Sequence, residues 1–191
     1  NMEIVKEHIA NKVSSPKLRF MEFEGPWTNY LLDDIAEFSR GKGISKSDIV
    51  VDGSLECVRY GELYTTYNEV ISNIVSRTNL DMNGLVVSEK NDVIIPASGE
   101  SQIDIATASC VLKDGVALSG DLNIIKTNNN GVFLSFYLNN KRKLAIARLS
   151  QGISVVHLYS SQLKTLKVDL PSLSEQEKIA SFLSAVDERI Q

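Results

Sequence analysis

Side chains able to make or break bonds are sparse in this chain, and their spacing suits binding better than catalysis. The only histidines are His8 and His157 and the only cysteines Cys57 and Cys110, with no spacing that suggests a metal site. His157 sits among Val155, Val156 and Leu158, which reads as a structural histidine in an apolar strand rather than a ligand. No phosphate-loop motif is present; Arg40-Gly41-Lys42-Gly43 is a loop with a flexible backbone and two cations, which serves either as an ordinary turn or as a phosphate contact. The chain has no Pro-Pro dipeptide, so it lacks the Asn/Asp-Pro-Pro-aromatic box of adenine methyltransferases. No Asp or Glu is followed two residues later by Lys, so the carboxylate-lysine motif common in restriction nucleases is missing. Nothing marks a nucleophile elbow. The expectation is a protein that is not an enzyme, with no metal and no cofactor held in this chain.

The distribution of charge is more informative than its total. The formal net charge is −4, which by itself argues against a nucleic-acid partner. Residues 25–130 hold eight basic and fifteen acidic side chains, a net of −7. Residues 131–168 hold Lys141, Arg142, Lys143, Arg148, Lys164 and Lys167 and no acid, a net of +6. Such asymmetry supports a one-sided electrostatic face, and a phosphate backbone would be drawn to it. The alternative is chance clustering of solvated lysines. Candidate backbone contacts are Lys42, Lys141, Lys143, Arg148 and Lys164. Candidate base or groove contacts are Arg59, Tyr60, Ser98, Arg142, Ser160 and Ser161, because these types hydrogen-bond to base edges and phosphates. The tyrosines near Arg59 have a plainer reading as rings packed on the core.

Length suits one domain with an appended helix. No apolar run is long enough to span a membrane, and the first residues lack the apolar stretch of a signal peptide. Two distant cysteines fit a reduced, cytoplasmic protein, with both thiols as small buried apolar groups. Asn1 ahead of Met2 reads as a residue outside the natural start.

Several elements could position these side chains. Residues 1–16 carry weak helical spacing at Ile4, Val5, Ile9 and Val13, a short helix or an arm. Residues 27–38 suit a strand and a helical turn. Leu55–Arg59 is strand-like, with Tyr60, Tyr64 and Tyr67 at helical spacing beyond it. Residues 86–97, 103–112 and 116–125 read as strands, and Asn128–Gly131 as a turn. Residues 132–149 read as helical, interrupted or capped at Lys141–Lys143. Residues 152–159 and 163–170 read as short strands around a turn at Ser160 and Ser161. The class is mixed α/β, a sheet flanked by helices.

After Pro171 the chain becomes an amphipathic helix. Ser174 is a candidate N-cap, and Glu177 three residues on completes a capping box. Ile179, Phe182 or Leu183, Val186 and Ile190 recur at three- and four-residue spacing, a seam of the coiled-coil kind. A chain this short gives the helix little of its own to pack on, so the seam is expected to pair with a partner helix.

The segment Pro171, Leu173, Glu175, Gln176, Ile179, Ala180, Leu183, Val186, Asp187 and Ile190 resembles the conserved region of type I restriction enzyme specificity subunits. Ser172 departs from it, where a second proline is common. Residues 17–27, 57–67 and 91–100 are similar to other stretches of the same family, with Met21 where proline is common. The resemblance implies three segments: an arm at 1–16, a DNA target recognition domain at 17–170, and the start of a spacer or dimerisation helix at 171–191. It implies sequence-specific reading of double-stranded DNA without chemistry. Methylation would belong to a modification subunit using S-adenosylmethionine, and cleavage to a restriction subunit using ATP and Mg. The chain would then be a half-subunit or part of a longer one, pairing through its helix with a second copy or second half. The rival reading is an interaction module that assembles through that helix and never touches DNA.

Overall fold

The architecture is given by a computed structural model that describes residues 19–152 and 154–190. The expected arm at 1–16 lies outside the described residues. The centre is a five-stranded sheet in the order β2-β10-β6-β8-β4, formed by β2 (Ala36–Arg40), β4 (Val70–Ile71), β6 (Val93–Pro96), β8 (Ser109–Val111) and β10 (Leu122–Thr127). All pairs are antiparallel except β4 with β8.

The central strands of this sheet are buried on both faces, which explains the unbroken apolar run at Val93-Ile94-Ile95. Alternate side chains enter different clusters. Val93, Ile95 and Ile125 join Trp27, Phe133 and Leu134 on one face. Ile94, Leu122 and Ile124 join Val58, Leu63 and Val111 on the other. The first face is covered by α4 (Gly131–Tyr137), a π-helical turn (Leu138–Arg142) and α5 (Lys143–Leu149). The second lies against β3 (Leu55–Val58) in a small sheet with β5 (Ser76–Thr78) and β9 (Ala117–Leu118), and against α2 (Glu62–Thr65). Two further pairs close the body: β1 (Thr28–Leu31), which runs into α1 (Leu32–Ile35), with β12 (Lys167–Leu170), and β7 (Ser98–Gly99) with β11 (Val156–His157).

Several short elements depart from the sequence expectation. Gln102–Ile105 is a helix, α3, because Ser101 caps it by accepting from the Asp104 N–H. Ser160–Leu163 is also a helix, α6, where a turn between strands was expected. Asn130 belongs to a helix cap, its Oδ1 accepting from Phe133 N at 2.9 Å. The interruption expected at 141–143 is the π turn. There the Asn140 amide donates to Phe136 O at 2.8 Å, and Asn139 bridges to both backbone groups of Ala108.

The last helix, α7 (Leu173–Ile190), begins two residues earlier than expected. Its cap is Ser172, whose Oγ accepts from Glu175 N at 3.4 Å, and not Ser174. Glu175 is therefore not a solvated first-turn charge. Its buried carboxylate takes both Nε and Nη2 of Arg19 at 2.6 Å and the Trp27 indole N–H at 3.3 Å. Gln176 is buried beside it. The expectation that the helix has little of its own domain to pack on is thus corrected for its first half: Glu175, Gln176 and Ala180 are buried.

Candidate nucleic-acid interface

One edge of the domain gathers several of the polar candidates. The loop after β2 crosses the turn between β9 and β10 backbone to backbone. Gly41 N donates to Leu122 O, Lys42 N to Leu118 O and Gly120 N to Gly43 O. A Cβ at Gly41 would lie 2.0 Å from Ser119 O, so only glycine permits the approach. Lys42 is thereby carried, exposed, on a fixed stretch of chain. Beside it Arg40 donates from Nε to Gly120 O at 2.7 Å and from Nη2 to Asp121 Oδ1 at 2.8 Å. Ser98 Oγ lies 3.4 Å from Asp121 Oδ1 and 3.1 Å from His157 Nδ1. The His157 ring stacks on exposed Tyr159 at 6.2 Å and 21°. Ser160 and Ser161 follow directly, opening α6. Of these candidates Ser98 alone contacts His157, which is half-buried and hydrogen-bonded as a structural histidine; Lys42 lies on the glycine crossing next to Arg40, and Ser160 and Ser161 follow Tyr159 in the chain. Arg40 was legible only as the second cation of the Gly-Lys-Gly loop, and Asp121 and Tyr159 were not singled out from the sequence; an acid such as Asp121 carried no signal of its own.

The basic segment forms a second, separate feature along the π turn and α5. Lys141 and Arg148 are exposed and Lys143 half-buried, and none makes an ion pair among the described residues. Arg142 is engaged within the domain: its Nη2 donates to Asp169 at 2.7 Å and it lies 5.7 Å over the Tyr137 ring. Lys164 pairs with Asp33 at 2.9 Å and sits over Phe38. Arg59 and Tyr60 follow Val58, whose carbonyl accepts from Ser119 N at 3.0 Å in the crossed turn, but both side chains are engaged within the domain. Arg59 donates to Glu62, a buried carboxylate that also accepts from Ser76, and Tyr60 packs on the second core cluster.

The seam of α7 is divided. Ile179 packs on the first core cluster and Phe182 meets Phe20 edge-on at 5.7 Å. Ile179 and Leu183 line a groove of about 530 Å³ with Trp27, Phe133, Phe136 and Tyr137. Val186 is half-buried; the side chain of Ile190 lies outside the described ones. Asp187 and Glu69 stand near each other, and burial together with the Glu69 charge pushes the Asp187 carboxyl up. Burial raises both thiols, Cys57 to about 11 and Cys110 to about 12, so both remain protonated and inert. Among the described residues no three His, Cys, Asp or Glu side chains converge as a metal site, and no helix is long and apolar enough to cross a membrane.

A family model described as "Type I restriction modification DNA specificity domain" matches residues 24–191. The chain belongs to this family. It is 27% identical over 154 residues to a putative type I restriction enzyme specificity subunit, S.HindORF215P, of Haemophilus influenzae, covering 80% of this chain and 38% of that protein. It is 25% identical over 168 residues to the type I restriction enzyme MjaVIII specificity subunit of Methanocaldococcus jannaschii, covering 86% of this chain and 36% of that one. The fold is similar to that of the S subunit of a type I restriction-modification system from M. genitalium, with a TM-score of 0.67 at 20% identity over 92% of this chain and 42% of that one. The HsdS subunit of Thermoanaerobacter tengcongensis gives a TM-score of 0.59 at 12% identity, covering 98% of this chain and 44% of that one. The mixed α/β class is the one these specificity domains share. This chain spans less than half the length of each of these relatives.

Proposed function

We propose that this chain is one DNA target recognition domain of a type I specificity subunit, reading part of a bipartite site and directing partner subunits to it. The family match over residues 24–191 carries the reading. The fixed polar edge at Arg40, Asp121, Ser98 and His157 and the cations of the π turn and α5 that make no ion pair among the described residues support it physically. The domain itself performs no catalysis and holds no cofactor. S-adenosylmethionine acts on a modification subunit, and ATP and Mg on a restriction subunit, all in the cytoplasm. Phosphate contacts come from Lys42, Lys141, Lys143 and Arg148, and α7 pairs with a helix from a second recognition half or a second copy. The groove beside Ile179 and Leu183 leaves apolar surface for that contact.

The test is to combine the subunit containing this chain with a modification subunit from the same organism and map adenine methylation on a pooled random-sequence DNA library. Methylation confined to a defined sequence is expected. A stable complex that methylates without sequence preference, or no complex at all, would overturn the reading; the latter would favour an assembly module.

A further inference from the structure

We infer that Arg40 and Asp121 act together as a base-reading pair, matched to the major-groove edge of one G·C base pair. The inference rests on the DNA-recognition reading above and deepens it. Both side chains are about half exposed, at 51% and 44%. They are nevertheless held. Arg40 is fixed by its bonds to Gly120 O and Asp121 Oδ1, and Asp121 Oδ1 is steadied by Ser98, whose hydroxyl is itself fixed by His157. Behind them the glycine crossing at Gly41 leaves the backbone no slack. Arg40 Nη1 and Asp121 Oδ2 make no hydrogen bond among the described residues. A donor and an acceptor thus project side by side from a rigid mount.

The carboxylate decides which part of DNA this edge fits. An exposed Asp121 would be repelled by phosphate, so an edge that carries it cannot serve backbone contact at that point. Base edges differ: cytosine offers its N4 amino group to a carboxylate, and guanine offers O6 and N7 to a guanidinium. One G·C pair presents both groups next to each other. Lys42, on the same crossing but with no ion pair among the described residues, suits the adjoining phosphate. Tyr159 is exposed and stacks on His157, the ring that fixes Ser98.

The test uses the specificity subunit complexed with its modification subunit, carrying Arg40→Gln or Asp121→Asn, in a selection from random-sequence DNA. Asp121→Asn keeps an oxygen for Ser98, and both residues lie at the surface, so the melting temperature should hold. The expected result is a preference for one G·C pair that falls by about 10-fold or more in either variant, with other positions unchanged. Lys42→Ala should weaken all sequences alike. Three outcomes overturn the inference: unchanged base preferences, a uniform loss across all sequences, or a wild-type site with no G·C pair that either variant affects. In each of these a selective wild-type complex leaves the recognition reading standing. A wild-type complex with no sequence preference overturns both.

Discussion

Replacing Gln176 by alanine tests how α7 is anchored. Its Oε1 accepts from Asn130 N at 3.0 Å, and its Nε2 donates to Asn129 Oδ1 and to Pro171 O, both at 3.0 Å. One buried amide therefore ties the start of α7 to the chain entering α4 and to the proline before the helix. Gln176→Ala removes three hydrogen bonds, each with a net value of about 1 kcal/mol, and strands the Asn130 N–H, so the loss should be about 3 kcal/mol. With a urea slope of about 2 kcal/mol/M, the midpoint should fall by about 1.5 M at unchanged slope. Gln176→Glu should cost at least as much. A carboxylate can still accept from Asn130 N, but it cannot donate to Pro171 O, and it buries a charge against that oxygen. Trp27, the single tryptophan, sits within hydrogen-bond reach of neighbouring Glu175, so its fluorescence reports on the same junction. A midpoint shift below about 0.3 M for Gln176→Ala would refute the anchoring, because three buried bonds cannot be removed that cheaply.

Gly131→Ala should destabilise by about 1–3 kcal/mol in thermal melting, since a Cβ there would meet Asn91 O at 2.4 Å and Cys110 Sγ at 2.8 Å. The thiols of Cys57 and Cys110 should resist a thiol reagent at pH 8 in the native protein and react on unfolding. Their folded pKa values, about 11 and about 12, lie above the usual 9.0, so the unfolded chain releases these protons first and stability should fall as pH rises above 9. A flat stability profile from pH 9 to 11 in a Tyr-independent assay would contradict this. Lys141→Ala with Lys143→Ala should weaken DNA binding by the assembled complex and lower its salt slope by about 1 for each phosphate no longer neutralised. These two are better targets than Arg142, whose removal would also take the ion-pair partner of Asp169.

The long-range plan was legible because it rests on burial periodicity. Residues 86–97 were legible as holding a strand, though not as one covered on both faces, and the acid-free stretch after Asn130 was legible as the place where cations cluster. The polar positions Glu175 and Gln176 were legible as fixed residues of a family pattern. Their role was not, because a first-turn glutamate ordinarily faces water; only the arrival of Arg19 and Trp27 from far away in sequence makes it a buried acceptor. The short helices at Gln102–Ile105 and Ser160–Leu163 were missed for a related reason: four residues are too few to show a helical period. The edge at Arg40, Ser98, Asp121 and His157 joins four separated segments, so no local pattern could display it.

The central claim is that sequence choice resides in this domain. The most direct measurement replaces one recognition domain of a type I specificity subunit with residues 24–170 of this chain and maps adenine methylation by the reassembled complex. Half of the methylated sequence should change to a new fixed sequence while the other half stays. An active complex whose whole methylated sequence is unaltered would contradict the claim.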